Sequence, residues 1–486
     1  MPATFMDVPW SVLLILLPLI GGVACFLLPK LIKILGVLSV SASALAVIGL
    51  AIQLQTHGVL RYPVGGWGAP LGIELYADGL SLLMLAMTAF VALAVSVYSA
   101  GYFNDQQQHR FWPLWLFLLA ALNALFLSAD IFNLYVTLEL MGLSAVALAA
   151  LSGTSAAVGG AMRYLFATLL GSLLYLLGVA LLYHSYATVD ISILSQQVTS
   201  TTIVWTATGL ITAGLALKTA LFPFHFWLPP AHSSAPAPVS AVLSALVVKA
   251  SFYILLRLWL EIFDQVSETA ESLLGLLGAM AILWGSIQAL RQTRVKLLVA
   301  YSTVAQIGYL FVAFPLASTA GINPWHAVAY LALSHALAKA AMFMAAGNLL
   351  RFGGHDRIAD LDRVVQRLPL TVAAFALAGV SIMGLPPSGG FIGKWLLLQS
   401  ALSQGRWELA IVMIIGGLLA AGYVFKVLGR AFTQAELPHE AKTVPASMEW
   451  TALLLASTAI VIGFTATDIF TLIEIGMPFG NSEVTP

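Results

Sequence analysis

Long apolar runs, each about the length of a bilayer, follow one another along almost the whole chain, and short polar stretches separate them. A transmembrane helix needs about 20 predominantly apolar residues. The pattern therefore predicts an all-α polytopic membrane protein with about fourteen transmembrane helices. The predicted spans cover residues 10–28, 33–55, 80–100, 113–128, 131–151, 163–184, 203–221, 238–261, 273–290, 297–315, 327–350, 370–402, 408–430 and 448–473.

The seventh and twelfth spans are interrupted by proline and glycine. The seventh runs through Lys218 into Pro223 and further prolines, and the twelfth runs into GLPPSGG at 384–390 before it resumes at Lys394. Proline removes a backbone donor, so both spans are predicted to be broken helices. The breaks lie five spans apart, which places them in opposite membrane orientations. Paired breaks of this kind indicate two inverted repeats around an ion site near the membrane midplane.

The two breaks also divide the chain into parts. Each broken span is the fourth of a five-helix unit, and the first unit begins with the fourth span. The predicted parts are helices 1–3 in residues 1–112, the first inverted repeat (helices 4–8) in 113–261, the second (helices 9–13) in 273–430, and helix 14 with the C-terminal tail in 448–486.

Charge is scarce and unevenly distributed. Only 9% of the 486 residues are charged and 60% are hydrophobic, against about 25% charged in soluble domains. The net charge is zero, so bulk charge gives no reason to expect a nucleic-acid partner. If the N-terminus is outside, the cytoplasmic loops hold fourteen Lys and Arg residues, Lys296 among them, and the outer side holds three: Arg61, Arg257 and Arg406. This asymmetry predicts that both termini are extracellular or periplasmic.

Five ionisable residues lie deep inside apolar runs, where each charge costs roughly 2.5–3.5 kcal/mol even on lenient insertion scales. They are Glu139, Lys218, Lys249, Lys339 and Lys394. Burial disfavours the charged forms of Glu and Lys, while pairing favours them. A carboxylate that alternately pairs with and leaves a lysine would therefore change whether that lysine holds its proton. This pattern predicts a proton relay; the alternative for Glu139 is a neutral carboxyl that only makes a hydrogen bond.

Histidines extend the predicted relay. His335 and Lys339 are four residues apart and so share one helix face, where proton exchange through a water molecule is geometrically easy. The alternative for His335 is a core histidine with satisfied hydrogen bonds. His225 and His232, which flank WLPP beside the first break, are secondary candidates.

The sequence gives no reason to expect a cofactor or a metal. Cys25 is the only cysteine, so the chain alone cannot hold an iron–sulfur cluster. No two helices carry histidines with ligand spacing, and the Gly–Pro segment of the twelfth span follows no strand and is not a dinucleotide fingerprint. A single carboxylate at mid-membrane is too few oxygen ligands for an obvious Na⁺ site.

Four runs of sequence resemble one known family. LKTALFPFHFWLPPAHSSAPAPVSAVLSALVVK, AYSTVAQIGY, SHALAKAAMFMAAGNL and MGLPPSGGFIGKW are similar to segments of the antiporter-like subunits of respiratory complex I and of Mrp-type multisubunit cation/proton antiporters. The similarity covers roughly residues 75–430. Residues 65–84 and 128–139 most resemble the D-type chain of the Mrp antiporters.

The resemblance implies a structure and a set of partners. It implies fourteen helices with inverted repeats at helices 4–8 and 9–13, and a hydrated axis through Glu139 and the four buried lysines. It also implies other membrane subunits as partners and a multi-pass location in the bilayer of the bacterial inner membrane. The transported ions it implies are protons, with Na⁺ as a second candidate.

The resulting hypothesis is a proton-translocating subunit of a multisubunit Na⁺/H⁺ antiporter, a transporter subunit with no enzymatic reaction of its own. One alternative is the corresponding N- or M-type subunit of NADH-quinone oxidoreductase or of a membrane-bound hydrogenase, in which electron transfer supplies the drive. Two others are a proton-channel subunit of an inorganic-carbon uptake complex and an autonomous secondary transporter.

Overall fold

The computed structural model describes residues 8–263, 268–316, 323–434 and 442–476, and most of these are helical. Within the first of these ranges the helices are α1 (Trp10–Leu27), α2 (Ile32–His57), α3 (Gly79–Tyr102), α4 (Asp105–Phe126), α5 (Ile131–Ala149), α6 (Ser155–Tyr186), α7 (Ile191–Gln197), α8 (Thr202–Thr219), α9 (Leu228–Ser234), α10 (Ala237–Val242) and α11 (Val248–Glu261).

The remaining ranges continue the same architecture. Their helices are α12 (Glu268–Arg291), α13 (Val295–Phe311), α14 (Pro324–Gly353), α15 (Val364–Arg367), α16 (Pro369–Met383), α17 (Gly389–Ser403), α18 (Trp407–Ala431), α19 (Ala446–Val461) and α20 (Ala466–Ile473).

The predicted class, an all-α polytopic membrane protein, is confirmed. Among the described residues, twelve helical segments are long and apolar enough to cross a membrane; the segment 202–234 joins α8 to α9, and 237–261 joins α10 to α11. Two further apolar helices, α13 and α16, are shorter than a full crossing. The count of fourteen spans and the inverted repeats therefore stay predictions.

Hydrogen-bonding side chains at the helix N-termini set several helix boundaries. Asn104 and Gln107 form a reciprocal capping box, in which each side chain accepts from the other's backbone N–H, so α4 begins at Asp105. The sequence predicted this span from residue 113, because the polar stretch before it was interpreted as a loop. The predicted boundary between residues 112 and 113 consequently lies inside α4.

Both predicted helix breaks are present. α8 ends at Thr219, and its C-cap Ala220 adopts a left-handed conformation (φ 60°); the chain resumes as a 3-10 turn at Phe224–Trp227 before α9. α16 ends at Met383 with Gly384 (φ 80°) as its C-cap, and α17 starts at Gly389 with Ser388 as its N-cap. A positive φ favours glycine, which explains Gly384.

A β-hairpin and a π-helical turn are among the elements that were not predicted from the sequence. The strands β1 (Leu60–Pro63) and β2 (Glu74–Ala77) form an antiparallel hairpin, with Leu60 opposite Ala77. The segment Leu243–Val247 is a π-helical turn between α10 and α11. Such turns shift the side chains that follow them and are frequent at functional sites.

The bundle has a buried centre and an apolar periphery. Nearly every residue of α10, α11 and α14 is buried, whereas α1, α2 and α18 carry large hydrophobic side chains on an exposed face. Exposed apolar faces of this kind suit contact with lipid or with other membrane subunits. The charged side chains of Lys249 and Lys339, on α11 and α14, are therefore enclosed by the bundle.

Candidate functional site

Glu139 and Lys218 form an ion pair between α5 and α8. Lys218 Nζ lies 3.2 Å from Glu139 Oε1 and donates to Thr168 Oγ1 at 2.7 Å. The Lys218 side chain is 3% exposed and that of Glu139 is 19% exposed. Ser172 also donates to Glu139 Oε1. The two charges thus share one polar group in which α6 supplies both hydroxyls.

Two glycines make room for this pair. A Cβ added at Gly142 would lie 2.9 Å from Thr168 Oγ1, and one added at Gly171 would lie 3.0 Å from Lys218 Cγ. The Cβ added at Gly171 would also lie 2.9 Å from the carbonyl oxygen of Gly214, so α6 and α8 approach backbone to backbone. Small residues permit such close approach between membrane helices. Lys218 also lies in the last turn of α8, where the helix dipole favours a cation.

Lys249 lies just after the π turn and is fully buried. Its Nζ donates to the carbonyl oxygen of Ser244, a residue within that turn. Ser244 Oγ is 2.9 Å from Thr303 Oγ1 on α13, and either hydroxyl can donate. The π turn therefore supplies the carbonyl and the hydroxyl that connect Lys249 to α13.

Lys339 reaches the same stretch of α13. Its Nζ donates to the Val299 carbonyl oxygen at 3.1 Å and to Ser302 Oγ. The Val299 carbonyl also accepts from Thr303 Oγ1 at 3.0 Å. Hydrogen bonds through Ser244, Thr303 and Val299 thus connect the two buried lysines, and this connection was not predicted from the sequence.

His335 is buried one helical turn before Lys339, as predicted. Among the described residues, neither of its ring nitrogens has a hydrogen-bond partner. A buried polar atom without a partner costs about 1–3 kcal/mol, and most such atoms in proteins are satisfied. His335 therefore stays a predicted member of the relay, with the core histidine as its alternative.

Lys394 occupies the start of the second half of the broken helix α16–α17. Its Nζ donates to the Ile382 carbonyl oxygen at 2.6 Å and lies 4.1 Å from the centroid of the Tyr309 ring. A cavity of about 140 Å³ adjoins Lys394, and Phe391 and Trp395 also line it. Because Trp395 is 46% exposed, this end of the group of lysines lies near the side of the bundle.

The helices that carry these residues adjoin one another. α8 packs on α11, the π turn packs on α14, and α14 packs on α17. In the part of the chain that the structure describes, Lys218 has a carboxylate partner, whereas Lys249, Lys339 and Lys394 bind only carbonyl or hydroxyl oxygens or an aromatic face. A neutral amine fits such surroundings without an uncompensated buried charge.

The two secondary histidines lie near the first break. His232 is 1% exposed and stacks on Phe343, with ring centroids 4.7 Å apart. His225 stacks on Phe222 at 5.5 Å. In each ring Nδ1 has no partner among the described residues. Across those same residues, no group of three His, Cys, Asp or Glu side chains is arranged to hold a metal ion.

Two basic residues that were counted toward the charge of the two membrane sides are buried. Lys296 is 2% exposed and donates from Nζ to the Ala235 carbonyl oxygen. Arg257 is 2% exposed within α11 and pairs with Asp78. The loop assignment of Lys296 was wrong because this residue lies in the first turn of α13, where sequence alone does not reveal a neighbouring element that covers it.

Comparisons with known proteins agree with the sequence motifs. Residues 128–420 match the family described as NADH:quinone oxidoreductase/Mrp antiporter, TM, and residues 66–112 match the family described as NADH-Ubiquinone oxidoreductase (complex I), chain 5 N-terminus. The first match covers more than half of the chain and contains the five buried charges.

Similar proteins extend over almost the full length. The chain is 34% identical to the N-type subunit of NADH-quinone oxidoreductase from Desulforudis audaxviator, over 96% of this chain and 98% of that protein. It is 29% identical to the D-type subunit of the Na(+)/H(+) antiporter from Bacillus subtilis, over 87% and 86% respectively. A chain in the structure of the Mrp complex from Dietzia sp. has the same fold, with a TM-score of 0.88, 23% identity, and coverage of 97% of this chain and 99% of that one.

Proposed function

The chain belongs to the NADH:quinone oxidoreductase/Mrp antiporter transmembrane family, and on that premise we propose that it moves protons across the membrane as a subunit of a multisubunit Na⁺/H⁺ antiporter. Protons move along Glu139, Lys218, Lys249, His335, Lys339 and Lys394, with His225 and His232 beside the path.

The observation that carries this proposal is the Glu139–Lys218 pair. At 3.2 Å and an effective dielectric constant of about 20, the attraction between the two charges is about 5 kcal/mol. When Glu139 takes up a proton or turns away, Lys218 loses this attraction while it remains buried. Its charged form is then disfavoured, and it releases its proton toward the next acceptor.

The second step of the proposed path uses α13. Lys249 and Lys339 bind opposite ends of the connection formed by Ser244, Thr303 and Val299. If both lysines are charged, they repel each other. The repulsion is strong in a poorly solvated interior, because the interaction between charges grows as the dielectric constant falls. A proton that arrives at Lys249 therefore favours release from Lys339, and His335 is the adjacent acceptor.

Orientation and assembly complete the proposal. We place the end of the bundle that carries the hairpin β1–β2 outside, with both termini on that side, because the Lys and Arg residues concentrate in the loops at the opposite end. The membrane is the bacterial inner membrane. Other membrane subunits of the complex contact the exposed apolar faces, as the multisubunit nature of the similar Mrp complex supports.

The second candidate is an N-type subunit of a redox-driven complex. The 34% identity to the N-type subunit of an NADH-quinone oxidoreductase favours it, and the proposed path would be the same. The two candidates differ in what accompanies the chain: small membrane subunits of a cation antiporter, or hydrophilic iron–sulfur subunits. Affinity purification of the tagged chain from native membranes, followed by mass spectrometry of the associated proteins, decides between them.

Transport by variants of the purified complex tests the path itself. Lys218→Ala is expected to abolish Na⁺-dependent or redox-dependent ΔpH formation in vesicles, measured by dye quenching, while the complex still assembles. Lys33→Ala is the matched control, because Lys33 pairs with Asp105 at the surface and is 54% exposed. Full transport by Lys218→Ala, in vesicles where the wild type is active, would contradict the central path.

A further inference from the structure

Helix α11 carries a row of polar side chains at four-residue spacing. The row consists of Lys249, Tyr253, Arg257 and Glu261. Residues four apart lie on neighbouring turns of one helix face. The row therefore runs from the buried lysine of the proposed path to the last residue of α11, at the end of the bundle that also holds β1–β2, which we call the hairpin end.

Arg257 is held by three groups at the hairpin end. Its Nη2 donates to both carboxylate oxygens of Asp78 at 2.9 Å, its Nη1 to Glu261 at 2.7 Å, and its Nε to the Tyr253 hydroxyl at 2.9 Å. All three guanidinium nitrogens are thus engaged. Arg257 and Asp78 are buried, with exposures of 2% and 0%, and Glu261 is the member that reaches the surface, with 28% of its side chain exposed.

The partners of Arg257 are themselves fixed. Asp78 is the N-cap of α3 and exchanges hydrogen bonds of 2.8 Å with Ser81. The Tyr253 hydroxyl donates to the Phe126 carbonyl oxygen at 3.0 Å. The guanidinium carbon also lies 5.3 Å from the centroid of the Tyr76 ring. Burial and the nearby Asp78 raise the pKa of Tyr76 to about 12, so this ring stays neutral.

The row is interrupted between its first two members. Lys249 Nζ donates to the Ser244 carbonyl, five residues earlier, whereas the Tyr253 hydroxyl accepts from Arg257 Nε, four residues later. The two side chains therefore have their partners on α11 and the π turn in opposite directions along the chain. Toward α13 and Lys339, acceptors are available to a proton on Lys249. Toward the hairpin end, the next polar group is the Tyr253 hydroxyl, which already accepts from the Arg257 guanidinium.

A guanidinium does not relay protons. It has five N–H donors, no acceptor, and a pKa above 12 in water, so it neither takes up a proton nor releases one at physiological pH. A fixed positive charge across a narrow path also repels cations, as an arginine does in other membrane pores. The carboxylates of Asp78 and Glu261 compensate the cost of burying that charge.

We propose that Arg257 closes the hairpin end of the row on α11, so that protons on Lys249 do not leak out along this helix and pass to Lys339 instead. This inference rests on the proposed function, because it presupposes a proton at Lys249. It assigns to the Asp78–Arg257–Glu261 group a role beyond joining α3 to α11: it makes transport through the chain directional.

Passive proton permeability of proteoliposomes containing the purified complex tests this proposal. The variant Arg257→Met combined with Asp78→Asn removes both members of the buried pair together. An imposed pH gradient, without Na⁺ or redox substrate, is expected to decay about tenfold faster, which corresponds to a barrier lowered by about 1.4 kcal/mol. The matched control, Arg294→Met with Asp356→Asn, removes another pair, joined at 2.7 Å with Asp356 buried, and is expected to leave permeability unchanged.

A second change separates a specific leak from a loosened structure. Adding Lys249→Met to the leaky variant is expected to restore the slow decay, because the leak then lacks its inner proton donor. If the leak persists without Lys249, or if the complex with Arg257→Met and Asp78→Asn stays tight, the proposal is overturned.

A conservative variant keeps the test decisive if the double variant fails to assemble. Arg257→Lys retains the positive charge and the partner Asp78 but can release a proton, so it is expected to leak; a tight Arg257→Lys complex would then overturn the proposal. Driven transport by the wild type and by Lys218→Ala is measured in the same proteoliposomes. Normal wild-type transport that survives Lys218→Ala counts against the proposed function, whereas an unchanged passive permeability of the Arg257 variants counts only against the closure.

Discussion

Replacement of Gly171 by alanine is expected to impair transport by displacing Lys218. The added Cβ would lie 3.0 Å from Lys218 Cγ, 3.5 Å from its Cε and 2.9 Å from the Gly214 carbonyl oxygen. These distances require the lysine and α8 to move away from α6. The movement carries Nζ away from Thr168 Oγ1, which now lies at 2.7 Å, and alters its position relative to Glu139.

The size of the effect follows from two opposing contributions. Overpacking of a well-packed interior costs typically about 1–3 kcal/mol. Alanine in place of glycine inside a helix returns about 1 kcal/mol of helix propensity. The expected net change in stability is therefore small, between about zero and 2 kcal/mol of destabilisation. The loss of transport should exceed what this change explains, because the strain falls directly on the side chain that transfers the proton.

Two control variants on the same helix separate these contributions. Gly159→Ala adds a Cβ that meets nothing within 4 Å, so it should only gain helix propensity and transport normally. Gly178→Ala creates a comparable clash, 2.6 Å from Ile211 Cγ1 and 2.8 Å from the Ala207 carbonyl oxygen, away from Lys218. The assay is the initial rate of ΔpH formation per assembled complex, with the thermal midpoint of each variant measured alongside. Equal rates for Gly171→Ala and Gly178→Ala at equal stability would refute the reasoning.

Two further predictions concern hydroxyl and carboxyl groups. Thr303→Val removes the hydroxyl that bonds Ser244 Oγ at 2.9 Å. This variant is expected to slow ΔpH formation several-fold without loss of the complex, since one buried hydrogen bond is worth about 0.5–1.5 kcal/mol. The control is Thr458→Val, at an exposed hydroxyl, and equal rates in the two variants would contradict the Ser244–Thr303 connection. Burial raises the pKa of Asp130 above its ordinary value of 3.8, so the folded chain binds the carboxyl proton of Asp130 more tightly than the unfolded chain does. The stability that protonated Asp130 contributes is therefore lost as the pH rises through the folded-state pKa. Asp130→Asn is therefore expected to flatten the decrease in thermal midpoint over that pH range, and an unchanged slope would contradict this assignment.

The sequence predicted the features that depend on local composition. Apolar runs and bilayer thickness together identify a polytopic membrane protein. The clustered prolines and glycines near Pro223 and Gly384 identify the broken helices, since several such residues in succession interrupt the helical hydrogen bonds. The family was confirmed because its motifs are contiguous runs of residues. Buried charges such as Glu139 and Lys218 were recognisable because their cost in hydrocarbon does not depend on the details of packing.

The sequence did not predict which hydroxyls and carbonyls surround those charges. Many serines and threonines of this chain only pack between helices, and the sequence does not distinguish Ser172, Thr168 and Thr303 from them. Only the tertiary structure brings these three to Glu139, Lys218 and Ser244, respectively. The π turn at Leu243–Val247 has no proline or glycine to mark it. A hydrogen bond depends on distances of a few tenths of an ångström, and such distances are fixed by helix packing rather than by residue type.

Arg257 illustrates the difference between what the sequence determines and what the tertiary structure determines. The sequence by itself determined that this protein spans a membrane, where its helices break, and that buried charges concentrate at a few positions, because each of these properties follows from the solvation of individual residues. Only the tertiary structure decided that Arg257 is buried, because its partner Asp78 lies 179 residues away along the chain. Pairing between distant residues determines which charges are fixed and which are free to exchange protons, and that pairing exists only in the folded bundle.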